Sequence, residues 1–291
     1  MALFVTFLWS TSYIIIKLGL SEMKPITFAG LRYFGAFICF IPFIFQRKYI
    51  TEVKQLKSHQ IKKLIWLGLL FYTFTQGTQF MGLSLLPAVT VSLMLNFTPL
   101  IVAIMGIFLI AENLTAIQWM GAIIFFAGIL IYFIPISAVG NSSLGLIIMS
   151  VGVIANSGSA VMARDVNRSS KISPLVVTCI SMGAGSTLLI ITGFTIEGFP
   201  VISLTTFFFL IWLIIVNTAF AFTIWNFTLR TLTAVESSII NSVMLIQIAV
   251  LAYLFLGEEI SFQKGSGMII AAIGIILVQI NRKNYLKAAV Q

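Results

Sequence analysis

The chain has 291 residues, 59% hydrophobic and only 9% charged, against the roughly 25% charged of a soluble globular protein. Too little polar surface is left to cover a water-facing body of that size, so the surrounding solvent is mostly lipid. The formal net charge of +9 does not point to nucleic acid, because the basic residues fall in the gaps between apolar runs rather than along a surface stripe.

About 20 predominantly apolar residues are needed to cross the hydrocarbon core as a helix. Runs of that kind lie near 2–20, 26–46, 64–83, 88–110 and 115–134, then near 143–163, 174–193, 205–227, 234–256 and 262–281. They are twice the length of a barrel strand and do not alternate polar with apolar, which favours helices over a β-barrel. The first run is followed by nine more, not by a cleavage site and a polar mature chain, and so reads as a retained anchor. Cys39 and Cys179 lie far apart inside apolar runs, as core or lipid-facing residues with neither metal spacing nor a disulfide framework.

Ten spans put both termini on one side and sort the connections into two sets. The side of the termini carries Arg47, Lys48, Lys54, Lys57, Lys62, Lys63, Arg164, Arg168, Lys171, Arg230, Arg282, Lys283 and Lys287, whereas the other carries Lys24 and Lys264. This asymmetry predicts a multi-pass protein of the cell membrane with both termini cytoplasmic. The only sizeable hydrophilic stretch is the basic loop 47–63.

Sliding the sequence by 146 positions aligns 64–132 with 210–278 without a gap. Leu64-Ile65-Trp66-Leu67 falls on Leu210-Ile211-Trp212-Leu213, and Ala88, Ser92, Glu112, Gly121 and Gly128 fall on Ala234, Ser238, Glu258, Gly267 and Gly274. Pro25 and Pro174 open the second span of each half. Five spans per half is an odd number, so the halves enter the membrane from opposite sides. The expected fold is therefore an all-α polytopic membrane protein, with ten transmembrane helices as two inverted five-helix repeats over 1–136 and 137–291. Inverted repeats are a device by which secondary transporters expose one midplane site to alternate sides.

The order and duplication of these features resemble the EamA family of the drug/metabolite transporter superfamily over essentially the whole chain. The residues that carry it are Trp9-Ser10-Thr11-Ser12 with Lys17, Arg32, and the run from Ala88 through Pro99 and Glu112 to Gly121 and Gly128, echoed after Ala234. The resemblance implies an exporter of amino acids or other small metabolites, with a cavity built from the first four spans of each half while the fifth and tenth stand aside. Ser10 departs from the glycine often found there in the family. The chain also begins almost inside the first helix, which fits a shortened start.

Polar side chains at membrane depth are costly and tend to face a cavity or another helix. Tyr72, Gln76 and Gln79 share a face of the third span at i, i+4 and i+7, as cavity lining or as interhelical hydrogen-bonding groups. Ser92, Asn96 and Pro99 share a face of the fourth span, and the ninth presents Ser238 and Ser242 at matching positions with Asn241 and Gln247 nearby. Pro99 removes a backbone bond and is expected to bend its helix, with gating as the further reading. Trp9, Ser12 and Tyr13 share a face of the first span, and Asn156 and Ser159 take the positions of Trp9 and Ser12 in the sixth. In the eighth, Asn217 and Trp225 lie two turns apart; Trp225 also suits an interfacial anchor.

Lys17, a turn from the end of its span, is expected to snorkel to the headgroups. Arg32 lies roughly 9 to 10 Å into its span at 1.5 Å per residue and must pair, with a substrate carboxylate among the candidates. Glu112 and Glu258 end the fourth and ninth spans, where capping is the simpler role. Gly121 with Gly128 and Gly267 with Gly274 recur every seven residues and suit either a homodimer through spans five and ten or packing within the chain.

No catalytic set, metal site, cofactor or nucleotide cradle is expected, since His59 lies in the basic loop and Asp165, the one aspartate, at a helix end. No carboxylate sits clearly at the midplane, which leaves uniport and exchange both open. The expected partners are membrane lipids and a small-molecule substrate, with no nucleic acid. The rival function is a lipid or lipid-linked headgroup flippase or scramblase.

Overall fold

The computed structural model describes residues 1–110, 115–134, 143–169, 172–228 and 234–280, and every regular element among them is helical. The first half contains α1 (Ala2–Gly19), α2 (Pro25–Ile44), α3 (Arg47–Gln55), α4 (Ser58–Gly68), a π-helical segment (Leu69–Thr75), α5 (Gln76–Leu85), α6 (Ala88–Leu95), α7 (Thr98–Ile110) and α8 (Ala116–Phe133). The second contains α9 (Ser143–Ser169), α10 (Pro174–Glu197), α11 (Leu204–Ile214), a second π segment (Ile215–Phe220), α12 (Ala221–Thr228), α13 (Ala234–Leu256) and α14 (Phe262–Ile280). Pro25 and Pro174 occupy the first turns of α2 and α10, where a missing N–H costs nothing and the fixed φ suits a helix start.

Among the described residues, six helical stretches are long and apolar enough to cross a membrane: Ala2–Gly19, Pro25–Ile44, Ala116–Phe133, Ser143–Ala163, Pro174–Glu197 and Leu204–Trp225, the last of which passes through the second π segment. The other four expected spans are interrupted, or their apolar part is shorter. Span three runs through α4, the first π segment and α5, and span four is broken at Asn96–Phe97 between α6 and α7. The bend expected of Pro99 is thus a full interruption, with Pro99 in the first turn of the helix that restarts. The exterior is apolar: Leu144, Ile147, Val151 and Ile154 on α9, and Ile123, Phe126 and Leu130 on α8, are exposed at helical spacing, as lipid-facing stripes are. Hydroxyls inside bond back to their own helices, as Ser10 Oγ does to the Thr6 carbonyl at 2.8 Å and Ser181 Oγ to the Val177 carbonyl at 2.7 Å.

The chain forms two compact units, each drawing on both repeats. Unit one comprises Met1–Ile14, Leu86–Leu146 and Ala221–Gln291. Its dominant pairing is α8 against α14, and here the glycines face each other. A Cβ on Gly128 would stand 2.4 Å from the Ala271 nitrogen and 2.6 Å from the Gly267 carbonyl; one on Gly121 would stand 2.8 Å from the Gly274 carbonyl. Gly121 meets Gly274 while Gly128 meets Gly267, and these are crosswise repeat partners. Such reciprocity is what a two-fold axis between inverted repeats demands. The glycine faces of spans five and ten are therefore used within the chain.

Unit two comprises Ile15–Leu85 and Ile147–Phe220. It is held chiefly by α2 against α10, with α4 and the first π segment also packed on α10.

Candidate functional site

Unit two gathers a polar cluster from spans two, three and eight. Arg32 is 3% exposed. Its Nε donates to Thr218 Oγ1 at 3.1 Å, and its guanidinium carbon lies 5.1 Å from the Tyr33 ring centroid. Tyr33 in turn donates its hydroxyl to Gln76 Oε1 at 2.6 Å, and its ring lies 5.5 Å from that of Tyr72. Tyr72, Gln76, Gln79, Asn217 and Thr218 are all buried. A fixed cation, a phenol and a carboxamide on adjoining side chains form a hydrogen-bonding surface that hydrocarbon would not otherwise tolerate.

The two π segments position this cluster. They begin at 69 and 215, an offset of 146, so the same helical irregularity recurs at repeat-equivalent positions. In each, a threonine hydroxyl takes a carbonyl five residues back: Thr75 Oγ1 to Leu70 at 2.9 Å and Thr218 Oγ1 to Leu213 at 2.8 Å. The widened turn leaves carbonyls without their usual partners, and threonine supplies a donor from within the helix. Thr73 Oγ1 donates to the Gly185 carbonyl of α10 at 2.7 Å, tying the first segment to its neighbour.

Unit one gathers a second, aromatic group. Trp9 lies 5.4 Å from Phe222 and 5.1 Å from Trp225 by ring centroids. The neighbouring Ser10 Oγ, which donates to the Thr6 carbonyl, lies 3.0 Å from the Gln247 side-chain amide. Trp9, Trp225 and Gln247 are thus brought together, with Trp225 inside an aromatic group. The indole Nε1 of Trp9 is buried with no hydrogen-bond partner.

The other selected residues are placed less distinctively. Ser12 is buried and donates to the Trp9 carbonyl at 2.6 Å; Tyr13 is buried. Ser159 is buried and donates to the Asn156 carbonyl at 2.8 Å, with Asn156 itself half-buried. Asn96 folds its side-chain amide onto the Ser92 carbonyl at 2.8 Å, at the break in span four, so it completes a helix end. Pro99 is half-buried and Asn241 exposed, whereas the side chains of Ser238 and Ser242 lie outside the described residues. A cleft bordered by Pro87, Val89, Tyr132, Glu258 and Lys264 contains none of the selected residues.

Lys17 departs from expectation. Its ammonium donates to the Leu83 carbonyl at 2.6 Å instead of snorkelling to the headgroups. Leu83 belongs to the last turn of α5, whose carbonyls lack intrahelical partners, and a cation there satisfies both the carbonyl and the helix dipole.

The acids act at helix ends. Glu258 accepts from the Ala88 and Val89 amides at 2.6 and 3.3 Å, which makes it the cap of α6 that its position suggested. Glu197 accepts from the Ile26 and Thr27 amides at 3.1 and 2.7 Å, and Glu52 from the Ser173 amide. In all three, a carboxylate from one repeat caps a helix of the other. Glu22 accepts from the Ser203 and Thr206 hydroxyls, which hold its carboxyl below the usual carboxylate range. Glu112, and the side chain of Glu236, lie outside the described residues.

Three contributors escaped the sequence reading: Tyr33, Thr218 and Phe222. The repeat carries the signal for two of them, because the 146 offset places Thr218 on Tyr72 and Phe222 on Gln76. Tyr33 was adjacent to the selected Arg32.

The profile of the EamA-like transporter family matches residues 1–134 and 143–280. The chain belongs to this family. Two Bacillus subtilis (strain 168) proteins are similar to this EamA-like transporter over nearly their full lengths. The protein named "Uncharacterized transporter YoaV" is 24% identical over 94% of this chain and 93% of its own. "Uncharacterized transporter YvbV" is 26% identical over 99% of this chain and 93% of its own. A solved crystal structure covers 95% of this chain and 96% of its own length with a TM-score of 0.65 at 16% identity, a likeness of fold.

Proposed function

We propose that this EamA-like transporter is a secondary carrier that exports a small metabolite, an amino acid or related compound, across the cytoplasmic membrane by alternating access. The observation that carries this reading is Arg32. A buried guanidinium inside a span, held at Nε by Thr218 and flanked by Tyr33, is an anchor suited to a substrate carboxylate. Around it Tyr72, Gln76, Gln79 and Asn217 offer further polar contacts. Asn156 and Ser159 are weaker candidates of the same unit; in the other unit Trp9, Trp225, Gln247 and, more weakly, Ser12, Tyr13, Asn96 and Asn241 form a separate proposed substrate-facing group, with the break at Asn96–Pro99 as the proposed gate. Alternating access is supported by the inverted repeats, since a pseudo-two-fold axis in the membrane plane relates the inward- and outward-open states by rotation, with the repeats exchanging roles. The basic asymmetry of the loops supports cytoplasmic termini.

The test is counterflow in liposomes holding the purified protein, with labelled amino acids, nucleosides, sugars and lipids. Saturable exchange of a soluble carboxylate-bearing metabolite, lost in Arg32→Gln at normal protein level, is the expected result. Intact transport in Arg32→Gln removes the anchor from the site; movement of lipid alone overturns the carrier in favour of a flippase.

A further inference from the structure

The segment between spans two and three has no part in the transport reading, yet it is folded. Arg47–Gln55 forms α3, with Tyr49, Ile50 and Val53 half-buried on one side. Leu56, just beyond it, packs against a core of Leu64, Leu67, Val166 and Val177. The charges on this segment are sorted. Glu52, the one acid between 47 and 63, is turned inward onto the Ser173 amide at the start of α10, and Lys63 pairs with Asp165. The cations left outward are Arg47, Lys48, Lys54, Lys57 and Lys62, all exposed and unaccompanied by an acid of their own segment.

The depth of this cationic face is set by its flanks. Phe45, at the end of α2, is 67% exposed and Trp66, in α4, is 58% exposed. An exposed tryptophan at a span end sits at headgroup level, and Phe45 closes the apolar run of the second span. Arg47 follows Phe45 by two residues and Lys62 precedes Trp66 by four, so these two cations at the ends of the segment stand within about one Debye length, roughly 8 to 10 Å, of the lipid surface. Clusters of four to eight basic residues on an amphipathic helix beside a span recruit acidic headgroups.

We propose that α3 and its flanks form a docking surface for the phosphate headgroups of anionic phospholipids in the adjoining leaflet. A free phosphate ligand would need a closed cradle, whereas these five cations are strung over an open surface from α3 (Arg47, Lys48 and Lys54) through Lys57 to Lys62 in α4. The carboxylate cap of Glu52 and the Lys63–Asp165 pair hold that face outward.

The probes are phosphatidylglycerol and phosphatidylcholine added to the purified full chain in neutral detergent, with lipid retention read by native mass spectrometry and the unfolding midpoint read in parallel. Wild type is expected to retain phosphatidylglycerol over phosphatidylcholine by at least about tenfold at low salt, and to lose most of that preference in about 0.5 M salt. The combined Arg47→Gln, Lys48→Gln, Lys54→Gln, Lys57→Gln and Lys62→Gln variant is expected to lose the preference while keeping its midpoint in phosphatidylcholine. The salt titration on wild type reads the same surface should the combined variant fail to fold. An unchanged preference in a folded variant, or insensitivity to salt, overturns the proposal. So does inorganic phosphate at about 10 mM abolishing lipid retention, which identifies a soluble phosphate ligand instead.

Discussion

Arg32 illustrates what a single residue says before and after folding. Its depth in the second span demanded a partner, but the chain order named none. In the folded chain Thr218, 186 positions away, meets it at Nε. Tyr33→Phe removes the donor to Gln76 Oε1 and is expected to cost about 1 kcal/mol, the scale of a hydrogen bond between membrane helices, read as a small fall in the unfolding midpoint. Glu22 makes a pH prediction at the same scale. Its folded-state pKa is depressed by the Ser203 and Thr206 hydroxyls, so its stabilisation is fully present above the unfolded-state value and is lost as the pH falls through the folded one. Wild type should therefore exceed Glu22→Gln in thermal stability near neutrality, and the two should converge in acid below the ordinary carboxylate range. A constant difference across that range would show that the carboxylate charge contributes nothing.

At the scale of elements, the helices were legible and their interruptions were not. Apolar runs of span length identify lipid-crossing segments because the bilayer leaves few other solutions. The π segments at 69–75 and 215–220 have no breaker residue to announce them; they depend on threonine hydroxyls that satisfy displaced carbonyls from within the helix. The α8–α14 contact is tighter than seven-residue glycine spacing alone could establish. Gly128→Leu would drive a side chain into the Ala271 nitrogen and the Gly267 carbonyl, and overpacking of this kind costs about 1–3 kcal/mol or displaces the helix outright. Leu130→Ala, two residues on and exposed, should leave the unfolding midpoint nearly unchanged. Equal effects of the two would overturn the glycine seam. Glu258→Ala, which strips α6 of its carboxylate cap, should cost about 1 kcal/mol.

For the whole molecule, the distribution of lysine and arginine predicts which side each loop faces, a question for labelling. In a Cys39→Ser, Cys179→Ser background, His59→Cys and Lys264→Cys place single thiols at exposed positions expected on opposite sides. A membrane-impermeant maleimide should label position 264 in intact cells and position 59 only after permeabilisation; the reverse pattern would invert the topology. Each compact unit draws helices from both repeats, and carboxylate caps join repeat to repeat at Glu52, Glu197 and Glu258. The repeats are thus units of sequence and symmetry, whereas the units of packing combine them.

The sequence by itself determined the helical membrane class and the family resemblance, and it predicts the inversion of the halves, because all three rest on local quantities: hydropathy per segment, an odd span count and a gapless internal match. It also selected Tyr72, Gln76 and Arg32 by the cost of polarity in lipid. Only the tertiary structure decided which of these groups meet, that Lys17 completes the end of α5, that Asn96 closes a helix break, and that the glycines of spans five and ten face each other. Those outcomes turn on which carbonyl or backbone lies within about 3 Å of a side chain, and positions distant in the sequence come that close only through the packing of the folded chain.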